Sequence, residues 1–181
     1  VNGGAACHWG GPAGFAEIMS AIHGLMFATN GQWHEAFNFA NDAGHTENGI
    51  YALRALYGFD GMTFETLKGF RGVHSKLTGH GESHLNPEGV LLSNGPLSSS
   101  LPQAQGLALG DKVAGRDRVT VCVMSDGASM EGEAKEAYAA IPGLAAKGRV
   151  NPFVAIISDN DTKLSGRITM IEFTSAQIST R

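Results

Sequence analysis

Apolar positions recur along this chain in two rhythms, one of three and four residues and one continuous. The first rhythm appears at Phe15, Ile18, Met19, Ile22, Leu25 and Met26, which predicts an amphipathic helix after Pro12 and Gly14, ended by Asn30-Gly31. A second helix is expected after "GHTENG", capped by Thr46, with Ile50, Leu53, Leu56 and Tyr57 as its apolar stripe and Gly58 as its stop. A shorter one, "TFETLKGFR", would start at Thr63 and turn Phe64, Leu67 and Phe70 inward. Residues 72–97 carry no period and are rich in His, Gly, Ser and Pro, so they read as a long loop region of the kind that bears function. Ser98 to Ser100 then cap a helix with Pro102 in its first turn and Leu101, Ala104, Ala108 and Leu109 facing in.

The continuous rhythm appears twice. "RVTVCVMSD" and "PFVAIISDN" are unbroken, β-branched runs of strand length, the pattern of strands covered on both faces. Between them "EGEAKEAYAAIPGLAAKG" reads as a helix, irregular at Pro142-Gly143 and stopped by Gly148. Strand, helix, strand in that order is a βαβ crossover, so the fold class is α/β, a three-layer domain on a mainly parallel sheet. With 181 residues the chain suits a single domain, residues 1–181, without internal repeats.

Composition narrows the function. A net charge of −4 with no basic block argues against nucleic acid. No apolar run reaches the roughly 18 residues of a membrane span, and no signal peptide opens the chain. Cys7 and Cys122 are the two cysteines and Cys122 lies inside a strand, so a reducing, cytoplasmic compartment is expected. Val1 opens a Gly-rich stretch without an initiator Met, so the natural start is expected to lie upstream. The 25 glycines, roughly twice the ~7% of average usage, fall singly between periodic segments and imply tight turns and close backbone approaches.

Both strands end in acid and amide residues, Ser125-Asp126-Gly127 and Ser158-Asp159-Asn160-Asp161. In a parallel sheet those ends share the edge where α/β folds place ligands. Asp126 and Asn160, one βαβ unit apart, would present hard oxygens suited to Mg²⁺ or Ca²⁺, with phosphates and water completing the shell. Gly127 would allow a phosphate close to the backbone. An Asp-Gly pair after a strand is also an ordinary turn, and spacing does not choose between the two. "HGESH" places two histidines four apart, yet its Glu is displaced and its glycines oppose a helix, so it is no zincin motif. Neither a P-loop nor a nicotinamide fingerprint is present. His23 is read as a satisfied structural residue, and His34, His74 and His84 as solvent-facing; Glu133, Lys135 and Glu136 read as a solvated helix face.

Six ordered blocks nevertheless resemble one family. "MSDGASMEGEAKEA" followed by "FVAIISDNDTKLSG" is similar to the thiamine-diphosphate signature of the transketolase family. "CHWGGPAGFAEIM", "NDAGHTENGIYALRALYGFDGMTFETLKGFR", "LTGHGE" and "NGPLSSSLPQAQGLALGDK" resemble further family segments in the same order. The resemblance spans about residues 7–168 and leaves 169–181 as an unassigned tail. It implies a thiamine-diphosphate-binding fold and, in the complete enzyme, ketol transfer between sugar phosphates. By position it implies that Asp126, Asn160 and the Thr162 carbonyl ligate Mg²⁺ (or Ca²⁺) and that Gly127 and His45 contact the diphosphate. Gly95, Pro96 and Leu97 would pack on the cofactor rings, and His8 and His80 would line the substrate channel as catalytic residues. Glu131 matches a carboxylate of the family's dimer interface. The implied partner is a pyrimidine-binding domain or subunit, in a homo- or hetero-oligomer. Ser125 replaces a signature Gly, and Ser98-Ser99-Ser100 resembles the related deoxyxylulose-phosphate synthases, so that chemistry and a non-catalytic cofactor-binding remnant stand as alternatives.

Overall fold

The computed structural model describes residues 7–28, 33–163 and 166–167. Three parallel strands form its centre in the order β1 (Phe37–Asn41), β2 (Val119–Ser125), β3 (Phe153–Ser158). β2 lies between its neighbours, with Asn41 opposite Val123 on one side and Ser125 opposite Ser158 on the other. Strand alternation sends successive residues to opposite faces, and both faces are covered. Phe39, Val121 and Val123 pack with Phe15, Met19, Ile22 and Met26 of helix α1 (Gly10–Phe27) and with Ile50 of α3 (Glu47–Tyr57). Ala40, Cys122 and Met124 pack the other way, against Leu101 and Ala104 of α4 (Ser100–Ala114) and Ala134 and Ala137 of α6 (Gly132–Ala146). The result is helix, sheet, helix, the expected α/β three-layer arrangement. Two one-turn helices, α2 (Trp33–Ala36) and α5 (Asp126–Ser129), precede β1 and follow β2. A short antiparallel pair, β4 (Thr162–Lys163) and β5 (Gly166–Arg167), follows β3. Among the described residues no helix is long and apolar enough to cross a membrane.

Several expectations need correction. β1 had no counterpart in the sequence reading, because Asn38 and Asn41 interrupt its apolar run; both are buried and bonded inside the fold. The segment from Thr63 forms only a 3₁₀ turn at Thr66–Gly69, and Phe64 faces solvent while Phe70 is buried. Leu25, Leu56 and Tyr57, expected in apolar stripes, are exposed; α3 instead buries Tyr51, Arg54 and Ala55 beside Ile50. Thr46 stands before α3 but does not cap it, since its hydroxyl donates to the Ala43 carbonyl at 2.7 Å. The hydroxyls of Ser98 to Ser100 make no cap for α4 either. Gly58 ends α3 with φ at +66°, as a stop residue should. α6 continues through Pro142 to Ala146. The stop expected at Asn30-Gly31 and the 169–181 tail lie outside the described residues.

Candidate functional site

The C-terminal ends of all three strands open on one edge, and each is followed by polar residues. β1 runs into Asp42-Ala43-Gly44-His45, β2 into Asp126-Gly127, and β3 into Asp159-Asn160. Ser125 caps α5 by accepting from the Ala128 N–H at 3.1 Å, which turns the chain sharply and keeps Asp126 at the sheet edge. Asp126 is only 2% exposed. One carboxylate oxygen accepts from the Gly127 N–H at 2.7 Å; the other accepts from the N–H groups of Asn160 at 3.0 Å and Thr162 at 3.3 Å. The two acid-amide clusters read from the sequence therefore meet. They meet first through backbone, while the Asn160 side-chain oxygen accepts from the Thr162 N–H at 2.9 Å.

A second group lies across the first turn of α1. A Cβ on Gly11 would stand 2.9 Å from the His45 ring, and one on Gly14 would stand 3.9 Å from the Asn160 amide nitrogen. α1 thus runs from the histidine group towards the Asp126 group. The ring centres of His8 and His45 are 5.0 Å apart. A Cβ on Gly44 would come within 2.8 Å of the His80 ring and 2.9 Å of the Gly95 nitrogen, so this approach admits no side chain. Gly95 itself, at φ +136°, takes a backbone shape that only glycine adopts readily. His8, His45, His80 and Gly95 form one cluster; Pro96 and Leu97 follow with their side chains exposed. Burial pushes the His45 pKa below its usual value, and nearby His8 and His80 push it the same way. Glu131 is exposed at the start of α6, while His34, His74 and His84 face solvent as expected.

Sequence reasoning missed three buried acids and amides beside these residues. Asp42, 0% exposed, directly follows β1 and accepts from the N–H groups of Ser98 at 2.7 Å and Ser100 at 2.9 Å. Glu47 and Asn94 are buried and bonded to each other at 3.1 Å. Only the bracketing of His45 by two acids five residues apart hinted at them.

Together these features define an α/β domain whose strand ends present carboxylates, imidazoles and closely packed glycine backbone to one ligand edge. The family model described as "Transketolase, thiamine diphosphate binding domain" matches residues 1–180, and the chain belongs to that family. Transketolase from Rhodobacter capsulatus is 31% identical over 178 residues, covering 92% of this chain and 26% of the relative. Transketolase-1 of Arabidopsis thaliana chloroplasts is 33% identical over 180 residues, covering 92% of this chain and 24% of the relative. Among solved structures, Leishmania mexicana transketolase superposes with a TM-score of 0.68 at 27% identity, covering 82% of this chain and 24% of that one. A Pichia stipitis transketolase variant solved with fructose 6-phosphate gives 0.67 at 29% identity, covering 77% and 22%. The chain thus spans about a quarter of the length of the relatives it matches.

The Asp126 carboxylate is a buried hard-oxygen group, and the N–H groups bonded to it carry no net charge to offset its own, which is a chemistry that fits a hard cation. Among the described residues no group of three or more His, Cys, Asp and Glu is placed to hold a metal ion. A cation held here would rely on few protein ligands, the habit of Mg²⁺ bound together with phosphates.

Proposed function

We propose that this chain is the diphosphate-binding part of a transketolase-like enzyme, moving a ketol unit between sugar phosphates together with a pyrimidine-binding domain or subunit. The observation that supports it most is the convergence of the segments after β1, β2 and β3 on one edge, with Asp126 buried there and bonded to Asn160 and Thr162. Thiamine diphosphate, when bound, supplies the electron sink that lets a ketose carbon–carbon bond break. Asp126, the Asn160 side chain and the Thr162 carbonyl would hold Mg²⁺ (Ca²⁺ being the alternative ion), and the Gly127 backbone would lie against the diphosphate. His45, neutral near pH 7 because its pKa is lowered, would donate a hydrogen bond to that group without adding charge. Gly95, Pro96 and Leu97 would form a wall for the rings. His8 and His80 would bind sugar hydroxyls and pass protons to and from them. Glu131, exposed at the head of α6, would face the partner, and the assembly would work in the cytoplasm.

Calorimetry with thiamine diphosphate and Mg²⁺, on the chain alone and with a pyrimidine-domain partner, tests the reading. Asp126→Ala is expected to weaken metal-dependent binding by about 10- to 100-fold. Undiminished binding in that variant would remove Asp126 from the metal site. The serine run Ser98-Ser99-Ser100 supports the second reading, a deoxyxylulose-phosphate synthase-like enzyme, which turnover with pyruvate as donor would select. Absence of any metal-dependent binding, with or without the partner, would leave a non-catalytic remnant.

A further inference from the structure

The turn after β1 carries two fully buried carboxylates, Asp42 and Glu47, on either side of His45. Neither has a role in the reading above, and both reach the same distant segment. Asp42 Oδ2 accepts from the Ser98 N–H at 2.7 Å and Oδ1 from the Ser100 N–H at 2.9 Å. Glu47 Oε2 accepts from the Asn94 side chain at 3.1 Å and from the Asn41 side chain at 2.9 Å. Asn94 in turn accepts from the Gly81 N–H at 2.7 Å through its side chain, and its own N–H donates to the Gly81 carbonyl at 3.0 Å. Residues 94–100 are therefore pinned at both ends by acids from one turn, with Gly95-Pro96-Leu97 as the span between the pins. The Gly81 bonds fasten the neighbouring loop, and His80 with it, to the same point.

The pinned segment has a backbone that would not form unaided. Ser98 sits at φ +69° and Gly95 at φ +136°, and a non-glycine residue in that region is held by its surroundings. The N–H of Ser98 is the very group that Asp42 grips. Around Glu47 there is no slack: a Cβ on Gly81 would stand 2.9 Å from the Asn94 amide and 3.0 Å from the Glu47 carboxyl carbon. Asp42 is buried against neutral N–H donors, and Glu47 against two side-chain amides with the Arg54 charge nearby, so both carboxylates are costly to keep unless their geometry is useful. We propose that Asp42 and Glu47 are positioning residues, a two-point clamp that holds the Gly95–Leu97 wall and His80 in register with His45. Its consequence for cofactor binding rests on the function proposed above; the clamp itself does not.

Amide hydrogen exchange on the full chain tests it. Asp42→Ala is expected to speed exchange at Ser98 and Ser100, and Glu47→Ala at Gly81, by about 100-fold, while Val121 to Met124 in β2 change by less than about threefold. Glu47→Gln, which keeps an oxygen facing Asn94, should stay near wild type at Gly81. Asp42→Asn, which keeps one acceptor and the side-chain volume, should release one of the two serine amides even if Asp42→Ala does not fold. Exchange that rises equally in β2 and the loops, or that stays unchanged in the loops, overturns the clamp, since either result makes the carboxylates merely structural. In parallel calorimetry, both alanine variants should bind thiamine diphosphate with Mg²⁺ about tenfold more weakly or worse. If the wild-type chain binds none with or without a partner, the function proposed above fails, and the exchange pattern still decides the clamp.

Discussion

His23 shows how one residue can tie stability to pH. It is 1% exposed, its Nδ1 lies 2.9 Å from the Met19 carbonyl, and its ring meets Phe39 edge-on. Burial lowers its pKa from 6.5 to about 4; the charge of Arg54 helps and the Met19 carbonyl opposes. The folded imidazole is therefore neutral where the unfolded one takes a proton, so stability falls as pH drops below 6.5 and levels off below about 4. At about 1.36 kcal/mol per pH unit the full effect is roughly 3 kcal/mol, of which about 2 kcal/mol is lost by pH 5. Asp42 works in the opposite sense. Burial raises its pKa against the bonds from Ser98 and Ser100, with Glu133 adding to the rise, so its contribution favours the folded state on the acid side. The difference between proteins isolates His23: urea denaturation at pH 7.5 and pH 5 should show a drop about 2 kcal/mol smaller in His23→Leu than in wild type. Parallel drops in the two proteins would mean that His23 is not the group that titrates.

At the scale of elements, legibility followed apolar continuity. β2 and β3 stood out because both faces of each carry side chains into cores, and α1 and α4 because their buried positions repeat every three or four residues. β1 was hidden by its own chemistry. Asn38 is buried in mid-strand, donating to Asp111 of α4 at 2.7 Å and to Thr120 of β2 at 3.1 Å, so a polar letter occupies a core position. The site followed the same division. Asp126 and Asn160 were legible from the two visible strands, whereas Asp42 follows the hidden one and its partners lie 56 and 58 positions away. The head of α4 shows the same blindness to distance, because the N–H of its first residue, Ser100, is taken by the Asp42 carboxylate rather than by a local serine hydroxyl. Asp111 repeats the device at the opposite end of the sheet. Arg118 grips it through Nε at 2.9 Å and Nη2 at 2.5 Å, and against the upward push of burial the bonds from Arg118 and Asn38 hold its carboxyl below the usual range. Asp111→Ala takes an acceptor from both Asn38 and Arg118 at once and should cost about 3 kcal/mol in urea denaturation, with Asp111→Asn costing less. A loss under about 0.5 kcal/mol would show that α4, β1 and β2 are held by packing alone.

For the whole molecule, the proposed function implies a division of labour between this chain and a pyrimidine-binding partner. Relatives of its family are about four times longer, and this chain aligns with roughly a quarter of each. Within that quarter, one edge gathers the residues proposed to hold a diphosphate and its cation. His8, His80, Pro96 and Leu97, the groups proposed to meet the sugar and the cofactor rings, are exposed at that edge. A cofactor held only at its diphosphate end would leave its rings in water, where proton transfers at a reacting carbon compete with solvent. Ketol transfer is therefore expected to need a second polypeptide that closes over those rings. The measurement is a coupled assay with a ketose phosphate donor and an aldose phosphate acceptor, in thiamine diphosphate and Mg²⁺, on the chain alone and after titration with a pyrimidine-binding domain from a relative. Activity should be absent alone, rise with added partner to saturation, and fall at least about tenfold in Asp126→Ala within the saturated complex. Turnover by the isolated chain would refute the division. Saturable partner binding without turnover, the cofactor being bound, would assign the chain to binding and not to catalysis.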